Sequence, residues 1–97
     1  MRKLLPILCL LIIASCSKEI PSDQLVERQG IGYEVNSQTP FSGRVVSYHE
    51  NGQVEFRRNF KDGKIEGLSE WYNENGQLLD KNCYKNDVIV NMSYCEK

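Results

Sequence analysis

Few of the 97 residues carry groups that could do chemistry, and they do not assemble into a catalytic set. His49 is the single histidine. A serine or cysteine nucleophile needs a base that is itself oriented by a third group. His49 instead stands just before an Asn-Gly pair, and the matching residue further along is Asn73. A position that accepts asparagine reads as the polar flank of a turn. Glu50 and Glu74 recur beside the same pair. Two carboxyls are what glycoside hydrolysis uses, but matched turn flanks account for both. Gly43, Gly52, Gly63, Gly67 and Gly76 follow hairpin spacing and precede no helix, so they form no phosphate cradle. Cys83 and Cys95 are too few for a structural zinc site. The sequence predicts no enzyme, no cofactor and no metal.

The elements that position these residues are written as a repeat. Phe41 to Lys64 (FSGRVVSYHENGQVEFRRNFKDGK) and Ile65 to Val88 (IEGLSEWYNENGQLLDKNCYKNDV) are two copies of one 24-residue unit. They are identical at Gly43/Gly67, Tyr48/Tyr72, Glu50/Glu74, Asn51/Asn75, Gly52/Gly76, Gln53/Gln77 and Lys61/Lys85. A period of this size marks a stacked array of one supersecondary unit. Asn-Gly between strand-like runs marks a hairpin. A three-residue loop, Glu50-Asn51-Gly52 with Gly52 left-handed, pairs Tyr48 with Val54 and Val46 with Phe56, which gives a coherent apolar face. The same loop about Gly76 pairs Tyr72 with Leu78. A two-residue turn at Asp62-Gly63 pairs Phe60 with Ile65. The expected fold is all-β: a single-layer antiparallel meander of hairpin repeats, with strands near residues 25–27, 31–35, 43–49, 54–60, 65–72, 77–84 and 88–94. Gly43 and Gly67 fall in strand interiors, where a ring of the adjoining strand is expected to lie close.

The N-terminus has a different character. Met1-Arg2-Lys3 is a basic head, and Leu4 to Ile13 is an apolar run too short to span a bilayer. Small residues follow, which makes residues 1–15 a secretory signal. Ile13-Ala14-Ser15-Cys16 resembles the bacterial lipobox, in which the cysteine thiol receives a diacylglycerol and the signal is cut just before it. That resemblance implies a mature protein starting at Cys16, held to a membrane by acyl chains. Its setting would be the bacterial cell envelope, and Ser17 is compatible with the periplasmic face of an outer membrane where the host has one. Residues 16–24 read as a polar, Pro21-bearing tether, and residues 25–97 as the repeat domain with 89–97 as its degenerate cap. Cys83 and Cys95 then remain in an oxidising compartment as a possible disulfide. A turn at Asn86-Asp87 places Cys83 opposite about Val90, so the bridge requires the tail to curl back. Without Arg2 and Lys3 the mature chain has ten basic against thirteen acidic residues, formally about −3, with no basic block. This argues against nucleic-acid binding and against a polybasic membrane patch.

The pattern F-x-G-x₄-Y-x-E-N-G-Q-x₆-F-K-D-G-K-x-x-G, beginning at Phe41, resembles the bacterial variant of the MORN repeat. The resemblance runs from Phe41 to about Val88 and extends weakly over Leu25 to Pro40. It implies an extended sheet of hairpins used for binding. The position one period on is Asn91 instead of glycine, and no third Asn-Gly follows, so the array ends in a cap. Aromatic residues on a sheet without a second layer serve either as packing or as contact anchors. Strand alternation puts Trp71 and Tyr72 on opposite faces. Trp71 has Ser47, not a ring, at the matching place. Trp71, Tyr48 and Tyr72 are the candidate binding surface. The leading reading is a membrane-anchored, non-enzymatic lipoprotein whose sheet binds a protein partner. The alternative is an antitoxin or immunity-type protein that neutralises a toxin.

Overall fold

The computed structural model describes residues 18–96. The signal segment, Cys16 and Ser17 lie outside the described residues. Eight strands follow in chain order: β1 (Glu19–Pro21), β2 (Leu25–Arg28), β3 (Ile31–Glu34), β4 (Gly43–Tyr48), β5 (Val54–Lys61), β6 (Lys64–Tyr72), β7 (Leu78–Lys85) and β8 (Val88–Val90). Among the described residues there is no α-helix, only short 3-10 turns at Ser22–Gln24 and Met92–Cys95. The domain is all-β. β4 through β8 form an antiparallel meander, and β1 adds to β4 in parallel to complete six strands.

Turn chemistry sets the meander. Asp62 (φ 50°) and Gly63 (φ 84°) are both left-handed, as are Asn86 (φ 49°) and Asp87 (φ 73°). Two positive φ values in succession match the right-handed twist of the flanking strands. The Asn-Gly loops are one residue longer. His49 N–H donates to Gln53 O at 2.8 Å and Gly52 N–H to His49 O at 3.0 Å. Asn73 and Gly76 make the same pair of bonds, to Gln77 O at 2.9 Å and to Asn73 O at 3.0 Å. Tyr48 accordingly pairs with Val54, Tyr72 with Leu78, and Phe60 with Ile65. Val46 does not meet Phe56 as expected. A bulge at Glu55 shifts the ladder, so Val46 faces Arg57 and Ser47 faces Phe56. A matching bulge at Leu79 interrupts the β6–β7 ladder.

The lead-in hairpin departs from the single-layer expectation. β2 and β3 pair with each other, with one further bridge from Tyr33 to Pro40, and do not extend the meander. A sheet with one apolar face gains by covering it, and these strands do so. Gly32 N–H donates to Gly63 O, Phe41 N–H to Gly32 O, and Gly63 N–H to Phe41 O, each at 2.8 Å. These three bonds hold the hairpin on the β5–β6 turn. Beneath it lies the core of Ile20, Phe41 and Val45, with Leu25, Phe56 and Phe60 packed against it. The expected tether is also part of the fold. Ile20 is 4% exposed, Glu19–Pro21 pairs with Arg44–Val46, and Arg44 N–H donates to Lys18 O at 2.8 Å. Pro21 sits on the sheet edge, where its missing N–H leaves no ladder bond unmade.

Neither strand glycine lies beneath a ring of the adjoining strand. A Cβ on Gly43 would meet Lys18 O at 2.4 Å and Phe41 Cζ at 2.8 Å. A Cβ on Gly67 would make only ordinary contact with Asn59 at 3.9 Å, so its φ of +95°, beside a register shift in β6, is what requires glycine. The seventh expected strand stops at Val90, where Asn91 caps the final 3-10 turn by accepting from Ser93 N–H at 2.9 Å.

Gly63 is the turn glycine with no room: a Cβ there would stand 2.3 Å from Ile31 Cγ2, whereas one on Gly52 meets nothing within 4 Å. Gly52→Ala should cost about 1 kcal/mol for the left-handed backbone alone. Gly63→Ala should cost a further 1–3 kcal/mol or so for the forced shift. Urea unfolding of both variants measures the difference; equal losses would contradict the clamp.

Candidate functional site

The Asn-Gly loops stand side by side at one end of the sheet, and polar side chains fasten one to the other. His49 Nε2 lies 2.9 Å from Tyr72 O. A carbonyl only accepts, so Nε2 carries the proton and donates. Asn51 Nδ2 donates to Glu74 O at 2.9 Å, while its Oδ1 accepts from Gln53 N–H at 3.0 Å. In the second loop Asn73 works locally, accepting from Asn75 N–H at 2.8 Å and Gln77 N–H at 3.0 Å. The turn flanks expected at His49 and Asn73 are therefore present with different duties. His49 links strands and Asn73 closes its own loop. Glu50 and Glu74 are exposed on these loops.

Residues paired across a ladder share a face. One face carries Val45, Phe56, Arg58, Phe60, Ser69 and Trp71. Trp71 packs on Phe56 with ring centroids 4.7 Å apart. The Arg58 guanidinium stands 5.0 Å from the Phe56 ring and 5.1 Å from the Trp71 ring, within cation–π range. Arg58 Nε and the deeply buried Ser69 Oγ have no hydrogen-bond partner. Beyond Trp71 the face opens into a shallow groove of about 430 Å³ lined by His49, Glu55, Trp71, Tyr72, Asn73, Glu74, Asn75 and Leu79. The two bulged residues, Glu55 and Leu79, are turned into it. Ser47 Oγ donates to Glu55 Oε1 at 2.9 Å, which holds that carboxylate, and Leu79 is 64% exposed.

Of the three expected binding aromatics, Trp71 and Tyr72 both border the groove, although their rings lie against different arginines on opposite faces, and Tyr48 does not border it. Tyr48 and Tyr72 pair with Val54 and Leu78 beyond the bulges, and the Tyr72 ring lies on the side of Arg57, 5.5 Å from its guanidinium. Arg57 also approaches Glu70 at 4.0 Å and the Tyr72 hydroxyl at 3.4 Å. Tyr48 is 54% exposed. Alternation separates Trp71 from Tyr72, as expected, and it separates Trp71 from Tyr48 as well. Sequence reading missed Arg58, Glu55 and Leu79. The first was within reach, because 56, 58 and 60 alternate onto one face. The other two depend on bulges that no residue in the pattern announces.

At the other end of the sheet the tail curls back. Cys83 and Cys95 form a disulfide with Cα atoms 6.0 Å apart, and Cys83 pairs with Val90 in the ladder. Tyr94 O–H donates to Glu66 Oε2, and Asn86 N–H donates to Glu66 Oε1 at 3.0 Å. Among the described residues no group of three or more His, Cys, Asp or Glu could hold a metal ion.

This arrangement is an open β-sheet of stacked hairpins with a groove at its loop end, a protein of the repeat-scaffold class. The MORN repeat variant model matches residues 42–62 and 65–86, two adjacent repeats that run from β4 through β7. No curated protein and no solved structure gives a significant match. MORN repeats commonly serve as modules for interaction with proteins and membranes.

The hydrogen bond from Tyr94, then that from Asn86, holds the Glu66 carboxyl below its ordinary 4.5. A carboxyl lowered on folding stabilises above its unfolded pKa, and that stability is lost as pH falls through the folded value. Tyr94→Phe should therefore lower the thermal midpoint at neutral pH, and the gap to the parent should narrow as the pH drops below 4.5. A gap that does not change with pH would show that the Glu66 charge contributes nothing through Tyr94.

Proposed function

We propose that the chain is a lipid-anchored envelope protein without enzymatic activity, whose repeat sheet binds a protein partner through the groove beside Trp71. The observation that carries this reading is the groove itself. It joins a half-buried tryptophan to an exposed leucine, to the Glu55 carboxylate held by Ser47, and to Glu74. Tryptophan is over-represented among the residues that dominate binding energy. Glu55 and Glu74 fit a partner surface that presents basic side chains, since opposite charge steers association and excludes like-charged partners. The anchor is the acylated Cys16 that the lipobox resemblance implies. The 24-residue hairpin period supplies the scaffold: each repeat brings one Asn-Gly loop to the groove end, and the linked loops form its rim.

A photo-crosslinking residue in place of Leu79, in the full chain expressed in bacteria, should yield discrete adducts. Trp71→Ala should weaken that capture by about 2 kcal/mol, roughly thirtyfold, with far-UV circular dichroism retained. If Trp71→Ala unfolds the domain, the ring is core and the groove is not the site. In the same cells Cys16→Ala should abolish lipid labelling and release the protein from membranes; an unchanged membrane fraction would sink the anchoring part of the reading.

A further inference from the structure

The sheet takes in residues within two positions of the predicted acylation site. Lys18 O is already bonded to Arg44 N–H, and Ile20 is in the core. One residue, Ser17, separates Lys18 from Cys16. Two residue steps reach at most about 7 Å. A diacylglycerol on Cys16 would thus hold the sheet directly against the bilayer with no spacer between.

The point of attachment selects one end of the sheet. β1 runs parallel to β4, so Lys18 lies at the Gly43 end. That end also carries the Asp62-Gly63 and Asn86-Asp87 turns, because β5 and β7 finish there and β6 starts there. The Asn-Gly loops lie at the opposite end, roughly 30 Å away along the nine residues of β6.

Charge distinguishes the two ends in the same sense. Lys18, Arg44, Lys61, Lys64 and Lys85 stand at the attachment end, together with Glu19, Glu27, Glu34, Asp62, Glu66 and Asp87. Four of those acids are engaged: Glu19 with Arg44 at 3.7 Å, Glu34 with Lys18 at 2.6 Å, Asp87 with Lys64 at 3.8 Å, and Glu66 with Tyr94 and Asn86. Toward the loop end are Glu50, Glu55, Glu74 and Asp80; the nearest cations are Arg57 and Lys81, both opposite Glu70, and Arg58 beside Trp71. Cations and acids nearly balance at the first end, while carboxylates predominate at the second, so an anionic leaflet repels the loop end the more strongly.

We propose that the acylated protein stands upright on an anionic lipid surface, with the Asp62-Gly63 and Asn86-Asp87 turns against the headgroups and the Trp71 groove held clear of them. The contact follows from where the chain joins the sheet and does not use the repeats as lipid-binding elements. It rests on the reading that Cys16 is acylated. It also removes the flat alternative, in which the Trp71 face lies on the membrane and the groove is closed to a partner.

The test uses the acylated mature protein in vesicles of phosphatidylethanolamine and phosphatidylglycerol that carry a headgroup spin label. A fluorophore is placed through an azide-bearing residue in place of Lys61 or of Asn75. Quenching should be severalfold stronger at position 61 than at 75. A flexible insertion between Ser17 and Lys18 should remove most of that difference while the protein stays with the vesicles. Equal quenching at both positions, or none at either, in vesicle-bound protein would overturn the upright arrangement and leave the anchor intact. A purified chain without acyl groups would overturn the anchor, and this inference with it.

Discussion

Three backbone hydrogen bonds among Gly32, Phe41 and Gly63 are the constraint on which the rest of this structure depends. They join the lead-in hairpin to the turn between β5 and β6, and the backbones can approach because Gly32 and Gly63 place no side chain between them. A Cβ on Gly32 would lie 3.3 Å from Phe60 and 3.4 Å from Gly63 O. With the clamp closed, Leu25 packs with Phe60 against the core, and Phe41 is delivered to that core beside Ile20 and Val45. Without it, a sheet of this size would present much of its apolar face to water. Small domains bury too little surface to tolerate that loss.

The disulfide and the Tyr94–Glu66 bond play the corresponding role at the far edge. β8 is only Val88–Val90, so β7 would otherwise end as a largely unpaired edge. Curling the tail back ties Cys95 to Cys83, and Tyr94 to the start of β6. A two-repeat array is thus finished at both ends by non-repeating elements. β1 and the β2–β3 hairpin close one side, and the 3-10 tail closes the other. Terminal units of repeat proteins are expected to differ from the rest for this reason.

Much of the meander was legible in the sequence because turn residues carry it. Asn51-Gly52, Asn75-Gly76 and Asp62-Gly63 fix loop lengths, and loop length fixes register: Tyr48 with Val54, Tyr72 with Leu78, Phe60 with Ile65. What escaped was non-local. The bulges at Glu55 and Leu79 arise within strands whose composition is ordinary, so Val46 was set against the wrong partner. Residues 25–34 read as two strands, which they are, but alternation cannot say whether a hairpin continues a sheet or folds over it. The polar Lys18–Pro21 segment reads as a spacer because one buried side chain, Ile20, is too small a signal to outweigh its neighbours. The candidate site shows the same division. Trp71 was conspicuous as an unmatched ring, while Glu55 and Leu79, which shape the groove around it, owe their positions to the bulges.

The clamp is tested most directly by native-state hydrogen exchange followed residue by residue. The account predicts that the amides of Gly32, Phe41 and Gly63 are protected together, to the same degree as the β5–β6 ladder. Gly30, at the exposed tip of the same hairpin, should exchange fast. Exchange of Gly32 and Phe41 at the rate of Gly30, with β5 and β6 still protected, would show that the hairpin is not held on the sheet and would contradict the account.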